Sequence, residues 1–228
     1  MTIDDAIRRI GEVGIVPVVR AATFDEACRA VDAIHAGGIP ILEITMTVPD
    51  APAVIREVVH QYGKDVLAGA GTVLTTAEAE ICLDAGAEFL VSPGVSIDVM
   101  RVAAQRGKLA MPGALTPTEV MAALSAGARA IKIFPCGSLG GPKYISALKK
   151  PFPRIEFIPT GGVNLSNAAE YIAAGAFALG TGSELVDGDA LRAGNSQKIT
   201  DAAKALVSAV RVARERLPSS TRSSPSAR

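Results

Sequence analysis

Short apolar runs, most of them ended by glycine or proline and each followed by a segment of helical pattern, recur along this chain. That recurrence restricts the fold more than any other feature. The runs are Ile15 to Arg20, Ile39 to Thr45, Val66 to Thr72, Glu88 to Ser92, Lys108 to Met111, Ala130 to Gly137 (AIKIFPCG), Ile155 to Pro159 and Ala176 to Gly180. A short amphipathic helix is expected over 2–13, ahead of the first run. Helices are expected from Thr23 to Gly37, Asp50 to Gln61, Thr75 to Gly86, Ile97 to Gln105, Thr116 to Gly127, 142–149, Asn164 to Ala174 and 195–214. Three of them open on a T-x-x-E capping box: Thr23 with Glu26, Thr75 with Glu78, and Thr116 with Glu119. Eight strand–helix pairs in 228 residues match a (β/α)8 TIM barrel with a short N-terminal helix, for which about 250 residues is typical. The competing architecture is a doubly wound open sheet. It would show fewer strands at this length, and no G-x-G-x-x-G opens the first helix. The pattern predicts one barrel domain over 1–216, followed by a Ser-, Pro- and Arg-rich tail, 217–228, with too little apolar content to fold.

Composition removes several function classes. There are 23 basic and 23 acidic residues and no basic block, so neither nucleic acid nor an anionic membrane is an expected partner. No apolar stretch is long enough to span a bilayer, and acids stand where a secretory leader needs an apolar core. Cys28, Cys82 and Cys136 lack metal-ligand spacing, and their odd number fits a reducing cytoplasm. All three read as structural. Only two histidines occur, His35 and His60, both in helical segments, which argues against a zinc site or a histidine-based triad.

The chemistry concentrates in AIKIFPCG. Alternation sends Ile131 and Ile133 to one face of that strand and Lys132 and Phe134 to the other. An ammonium in such a run is costly unless paired, and a lysine held there is a candidate amine nucleophile. In these barrels the active site lies at the carboxyl ends of the strands. Arg20, Glu43, Thr45, Thr72, Pro93, Lys132, Phe134 and Thr160 all fall near such ends. With the faces carrying Val16, Val18 and Arg20 and Ile41, Glu43 and Thr45 turned inward, Arg20, Glu43 and Lys132 converge in one pocket. Two readings stand side by side: Schiff-base carbonyl chemistry with Glu43 moving protons, or a structural Lys132–Glu43 ion pair. TGG (160–162) and GTGS (180–183) follow the last two strands, where barrels often bind phosphate with backbone amides and a helix N-terminus. Tight turns are the plainer reading of the same glycines.

VPVVR (16–20), LEITMT (42–47), GAGTV (69–73), SPG (92–94), MPG (111–113), IKIFP (131–135), PTGGVN (159–164) and GTGSELV (180–186) stand in the order found in 2-keto-3-deoxy-6-phosphogluconate aldolases. The chain resembles that family over about residues 10–210. The resemblance implies a metal-independent class I aldolase that needs no cofactor. It also implies a homotrimer, and cleavage of a phosphorylated 2-keto-3-deoxy sugar acid to pyruvate and glyceraldehyde 3-phosphate. Action on 4-hydroxy-2-oxoglutarate, or on the 6-phosphogalactonate epimer, is compatible with it; the alternative of a different class is a phosphosugar isomerase or epimerase on the same barrel, with Glu43 transferring protons and Lys132 only its electrostatic partner. By motif, Lys132 is the Schiff-base lysine and Glu43 the general acid/base. Thr72, Pro93 and Phe134 line the pyruvate half. Thr160 faces the substrate hydroxyl or carboxylate, and Gly161, Gly162, Gly182 and Ser183 hold the phosphate. Two positions depart from the family pattern. Thr47 stands where many members carry a carboxylate-binding arginine, a role that falls here to Arg20. CGSL (136–139) stands where an acid often follows the strand.

Overall fold

The computed structural model describes residues 1–217, so of the tail expectation only Leu217 falls within the described residues. The strands are β1 (Ile15–Val19), β2 (Ile41–Thr45), β3 (Leu67–Gly71), β4 (Phe89–Val91), β5 (Leu109–Met111), β6 (Gly113–Ala114), β7 (Ala130–Ile133), β8 (Glu156–Pro159) and β9 (Leu179–Thr181). Every pairing between them is parallel. One sheet runs β5-β4-β3-β2-β1-β9 and a second runs β6-β7-β8. Parallel strands buried on both sides read as continuous apolar runs, as β1 (IVPVV) does here. Helices α1 (Ile3–Val13), α2 (Phe24–Ala36), α3 (Ala51–Tyr62), α4 (Thr76–Asp84), α5 (Ile97–Gln105), α6 (Pro117–Ser125), α7 (Pro142–Lys149), α8 (Ala168–Ala173), α9 (Gly188–Arg192) and α10 (Ser196–Glu215) complete an α/β barrel architecture.

The fifth strand ends at Met111, its expected boundary, and a strand that was not expected, β6, follows at Gly113. Pro112 has no N–H to give β4, so the ladder stops there and the chain resumes as β6, now paired with β7. The Pro112 carbonyl accepts the Lys132 amide at 3.0 Å, which ties the break to β7. On the other side a single parallel bridge, Thr160 with Gly180, links the ends of β8 and β9.

The capping boxes of α4 and α6 form as expected, with Thr75 and Thr116 each accepting from the N3 amide and Glu78 and Glu119 reaching back. At α2 only half the box forms. Thr23 accepts from Glu26, but the Glu26 carboxylate passes Thr23 and takes the Ala22 amide at 3.0 Å. The helix expected from Asn164 begins at Ala168, because the Asn164 side chain accepts from Ser166 and Asn167 and holds 164–167 as a turn. The short helix α9, capped by Asp187, lies in a stretch read as loop.

Helix α1 packs its Ala6, Ile7 and Ile10 into the core near the amino end of the sheet. Arg9 donates to the Lys64 and Asp65 carbonyls at 3.1 and 2.9 Å, Asp4 pairs with Arg129, and Arg214 from α10 donates to the Glu12 carbonyl at 2.9 Å. The amino end is thereby fastened by side-chain bonds, which leaves the carboxyl ends of the strands to carry the polar site.

Candidate active site

Lys132 sits in β7 between Gly113 of β6 and Ile158 of β8. Glu43 sits in β2 between Val18 of β1 and Gly69 of β3. The two come from strands on opposite stretches of the barrel wall, yet Lys132 Nζ lies 3.3 Å from Glu43 Oε1, with only 6% and 2% of the two residues exposed. Lys132 makes no other side-chain bond among the described residues. Its ammonium lies 5.5 Å from the centre of the Phe134 ring, a cation–π contact that also walls the pocket. A buried pair of this kind loses much of its hydration, and one 3.3 Å contact replaces little of it.

Glycine makes the room. A Cβ at Gly71 would stand 2.1 Å from Glu43 Oε1, so the carboxylate occupies space that any larger residue would fill. Thr72 follows directly, with φ +58° in the left-handed region, a conformation costly for a β-branched residue. It is half-buried at the end of β3. Pro93 is exposed after β4, and its carbonyl points against Gly113, the partner of Lys132. Phe134 is half-buried one residue beyond β7. Thr160 is buried at the end of β8, where its hydroxyl donates weakly to the Ile158 carbonyl at 3.3 Å.

The Thr160–Gly180 bridge sets the two glycine loops side by side. Gly161 and Gly162 both have positive φ, +87° and +77°, which turns successive amides in one direction. Gly182 and Ser183 open a turn in which the Gly182 carbonyl accepts from Leu185 and Val186, each at 2.9 Å. No helix starts directly after either loop; the next helices begin at Ala168 and Gly188. Neither loop therefore runs into the helix N-terminus that was expected there. Cys136 is fully buried beside these loops, and burial pushes its thiol up to about 11. It stays a protonated, inert side chain, in keeping with a structural role.

The structure brings Lys132 and Glu43 into contact but gives Arg20 no contact with either among the described residues; β1 ends one residue before it, at Val19. Arg20 is exposed at the rim and donates to Thr47 Oγ1 at 3.3 Å. It makes no ion pair with Glu43 among the described residues. Sequence reasoning noticed Thr47 only as a missing arginine. Its contact with Arg20, and the Thr45–Thr47 contact at 2.7 Å, went unseen. The T-x-T spacing directly after Glu43 was the available signal.

A buried lysine–carboxylate pair inside a parallel α/β barrel is the arrangement expected of an enzyme that acts on carbonyls through an amine, and equally of a structural ion pair. The family model for KDPG and KHG aldolases matches residues 6–202, and the chain belongs to that family of carbon–carbon lyases. The 2-dehydro-3-deoxy-phosphogluconate aldolase of Treponema pallidum (strain Nichols) is 37% identical over 88% of this chain and 93% of its own. The 2-dehydro-3-deoxy-6-phosphogalactonate aldolase of Escherichia coli (strain K12) is also 37% identical, over 87% of this chain and 95% of its own. A KDPG aldolase from Legionella pneumophila, solved with pyruvate captured as a covalent carbinolamine, superposes with a TM-score of 0.81 at 30% identity, covering 87% of this chain and 96% of that one.

Proposed function

We propose that this aldolase cleaves 2-keto-3-deoxy-6-phosphogluconate to pyruvate and glyceraldehyde 3-phosphate, and 4-hydroxy-2-oxoglutarate to pyruvate and glyoxylate, with Lys132 as nucleophile and Glu43 as general acid/base. The observation that carries this reading is the 3.3 Å contact between two otherwise buried charged groups at the carboxyl end of the strands. Glu43 takes a proton from Lys132, and the amine adds to the C2 ketone. Glu43 returns the proton to the new hydroxyl and water leaves, giving the protonated imine. Glu43, again a carboxylate, takes the proton of the C4 hydroxyl as the C3–C4 bond breaks. The electron pair passes to the enamine and the aldehyde departs. Glu43 returns that proton to C3 of the enamine, and readdition of water to the imine releases pyruvate and restores the amine.

In this assignment Thr72, Pro93 and Phe134 hold the pyruvate half, and Thr160 contacts the substrate on the wall opposite β2. The amides of Gly161, Gly162, Gly182 and Ser183 receive the phosphate, a role supported by the adjacency of the two loops and the positive φ of the diglycine. Arg20 receives the keto acid's carboxylate, since its planar fork suits that group. No metal or organic cofactor enters these steps.

The reading extends to a closed (β/α)8 barrel, with β5 and β6 as one broken strand, and to a homotrimer. The exposed large side chains of Leu74, Ile81, Ile97 and Met121, on or beside three consecutive helices, are in keeping with burial against another copy. The free thiols Cys28, Cys82 and Cys136 suit a cytoplasmic setting.

Borohydride trapping with pyruvate, followed by peptide mapping, tests the core of the proposal. A reduced adduct on Lys132 is expected. Folded protein that forms none overturns it. Turnover on the gluconate and galactonate epimers, compared directly, assigns the C4 configuration.

A further inference from the structure

Hydrogen bonds at the tips of β1 and β2 form a chain that runs one way only. Thr45 is fully buried, and its hydroxyl donates to the Val19 carbonyl at 3.0 Å. A threonine hydroxyl has a single proton, so toward Thr47 it can only accept. The 2.7 Å contact between the two hydroxyls therefore runs from Thr47 to Thr45. With its proton committed inward, Thr47 presents only lone pairs outward, and Arg20 Nη1 donates to them at 3.3 Å. The sequence of donation is Arg20, Thr47, Thr45, Val19 carbonyl. The guanidinium can only donate, so it fits the accepting end of this chain and no other. Each bond polarises the next in the same sense. The last acceptor is the residue immediately before Arg20, so the chain ties the arginine's tip back to its own backbone through β2.

We propose that Thr45 and Thr47 are positioning residues that fix the Arg20 guanidinium by one arm and leave its other edge facing the substrate carboxylate. This rests on the assignment of Arg20 as the carboxylate anchor. Threonine suits position 47 because it is short enough to stand against Thr45 and stiff at χ1. Neither threonine touches the reacting carbons. Their effect passes entirely through the aim of the arginine, so it belongs to ground-state binding of the keto acid and not to the bond-breaking step.

Thr47 is exposed, so Thr47→Val is expected to fold while keeping the side chain's shape and losing its hydroxyl. The concentration of pyruvate giving half-maximal borohydride trapping, and KM for the phosphorylated keto acid, should each rise about three- to tenfold, with kcat within about twofold. Thr47→Ser should restore both. In an Arg20→Ala background, Thr47→Val should add nothing further, because the group it positions is gone. If Arg20→Ala leaves KM unchanged, the anchor assignment falls and takes this inference with it. If Arg20→Ala raises KM but Thr47→Val does not, or if the two effects simply add, the anchor stands and the positioning role is overturned. A lowered melting temperature with unchanged KM would reduce the chain to a seam between two strands and overturn it equally.

Discussion

Two lysines in this molecule lie over phenylalanine rings at nearly identical distances, each under the influence of a glutamate, and they differ in what else they touch. Lys132 Nζ is 5.5 Å from the Phe134 ring and 3.3 Å from Glu43. Lys149 Nζ is 5.6 Å from the Phe157 ring and feels the charge of Glu156. The difference lies in the remaining valence. Lys149 donates to the Ile155 carbonyl at 2.6 Å, and its stem lies across Gly175, so it joins the end of α7 to the start of β8. Its partner is a backbone atom that cannot accept a proton permanently. Lys132 has a single long contact, and that contact is a carboxylate that can take the proton away. Burial and a nearby acid describe both sites. What separates them is whether the amine's partner is a backbone carbonyl or a carboxylate.

Replacing the lysines should give the largest contrast. Lys132→Ala is expected to lower kcat by about a thousandfold or more, because nucleophile and base act as a unit. Lys149→Met should leave kcat within about twofold while lowering unfolding free energy by about 1–2 kcal/mol, from the orphaned Ile155 carbonyl. Coupled pyruvate assays and urea melts on both variants decide this. Lys132→Ala with near-wild-type turnover would collapse the distinction.

The glutamates should separate next. Glu43→Gln is expected to cost about a hundredfold in kcat, the usual range for a lost general acid/base. Glu156→Gln should leave kcat alone and change the pH dependence of stability instead. Burial holds the folded Glu156 above the ordinary carboxylate range, partly offset by Lys149. The folded state therefore binds the proton more tightly than the unfolded state does. Its contribution to stability is full below the unfolded value, near 4.5, and is lost as pH rises through the raised folded value. Urea melts of the two proteins across that window should show the wild type losing ground to the variant as pH rises. Parallel curves would mean that Glu156 is solvated.

These sites were unequally legible in the sequence. Glu43 and Lys132 announced themselves as charges inside apolar runs, a signal that survives without knowledge of the fold. Helices Ile97–Gln105 and Pro142–Lys149 were legible to the residue, since proline and glycine punctuate them. The break at Pro112 was visible as a proline, but its consequence depends on which neighbour needed the missing N–H. Alternation set Arg20 on the face of Val16 and Val18, but its bond to Thr47 lies beyond the ends of both strands, where alternation gives no guide. The Thr45–Thr47 chain was out of reach because the Val19 carbonyl that orients it is brought there by inter-strand register. Helix α8 was overextended because propensity does not show Asn164 capturing the backbone amides.

The smallest contrast comes from the glycines beneath the two pairs, and it separates space from backbone conformation. Gly71 has an ordinary strand conformation, so alanine is conformationally allowed there, but the methyl would lie 2.1 Å from Glu43 Oε1 and 2.6 Å from its Cγ. The carboxylate has to move. A shift of about 1 Å at a catalytic group can cost up to about a hundredfold, so Gly71→Ala should lower kcat about tenfold or more. Gly175 has φ +92°, and a methyl there would meet the Lys149 stem at 3.3 Å, a gap the flexible side chain can open. The penalty for Gly175→Ala is then mainly the left-handed backbone, about 1–2 kcal/mol of stability, with kcat unchanged. Gly71→Ala that keeps full turnover would mean Glu43 is free to relocate and still catalyse. The 3.3 Å contact would then be one arrangement among several, and the reactivity of Lys132 would have to come from the pocket as a whole instead of from its single partner.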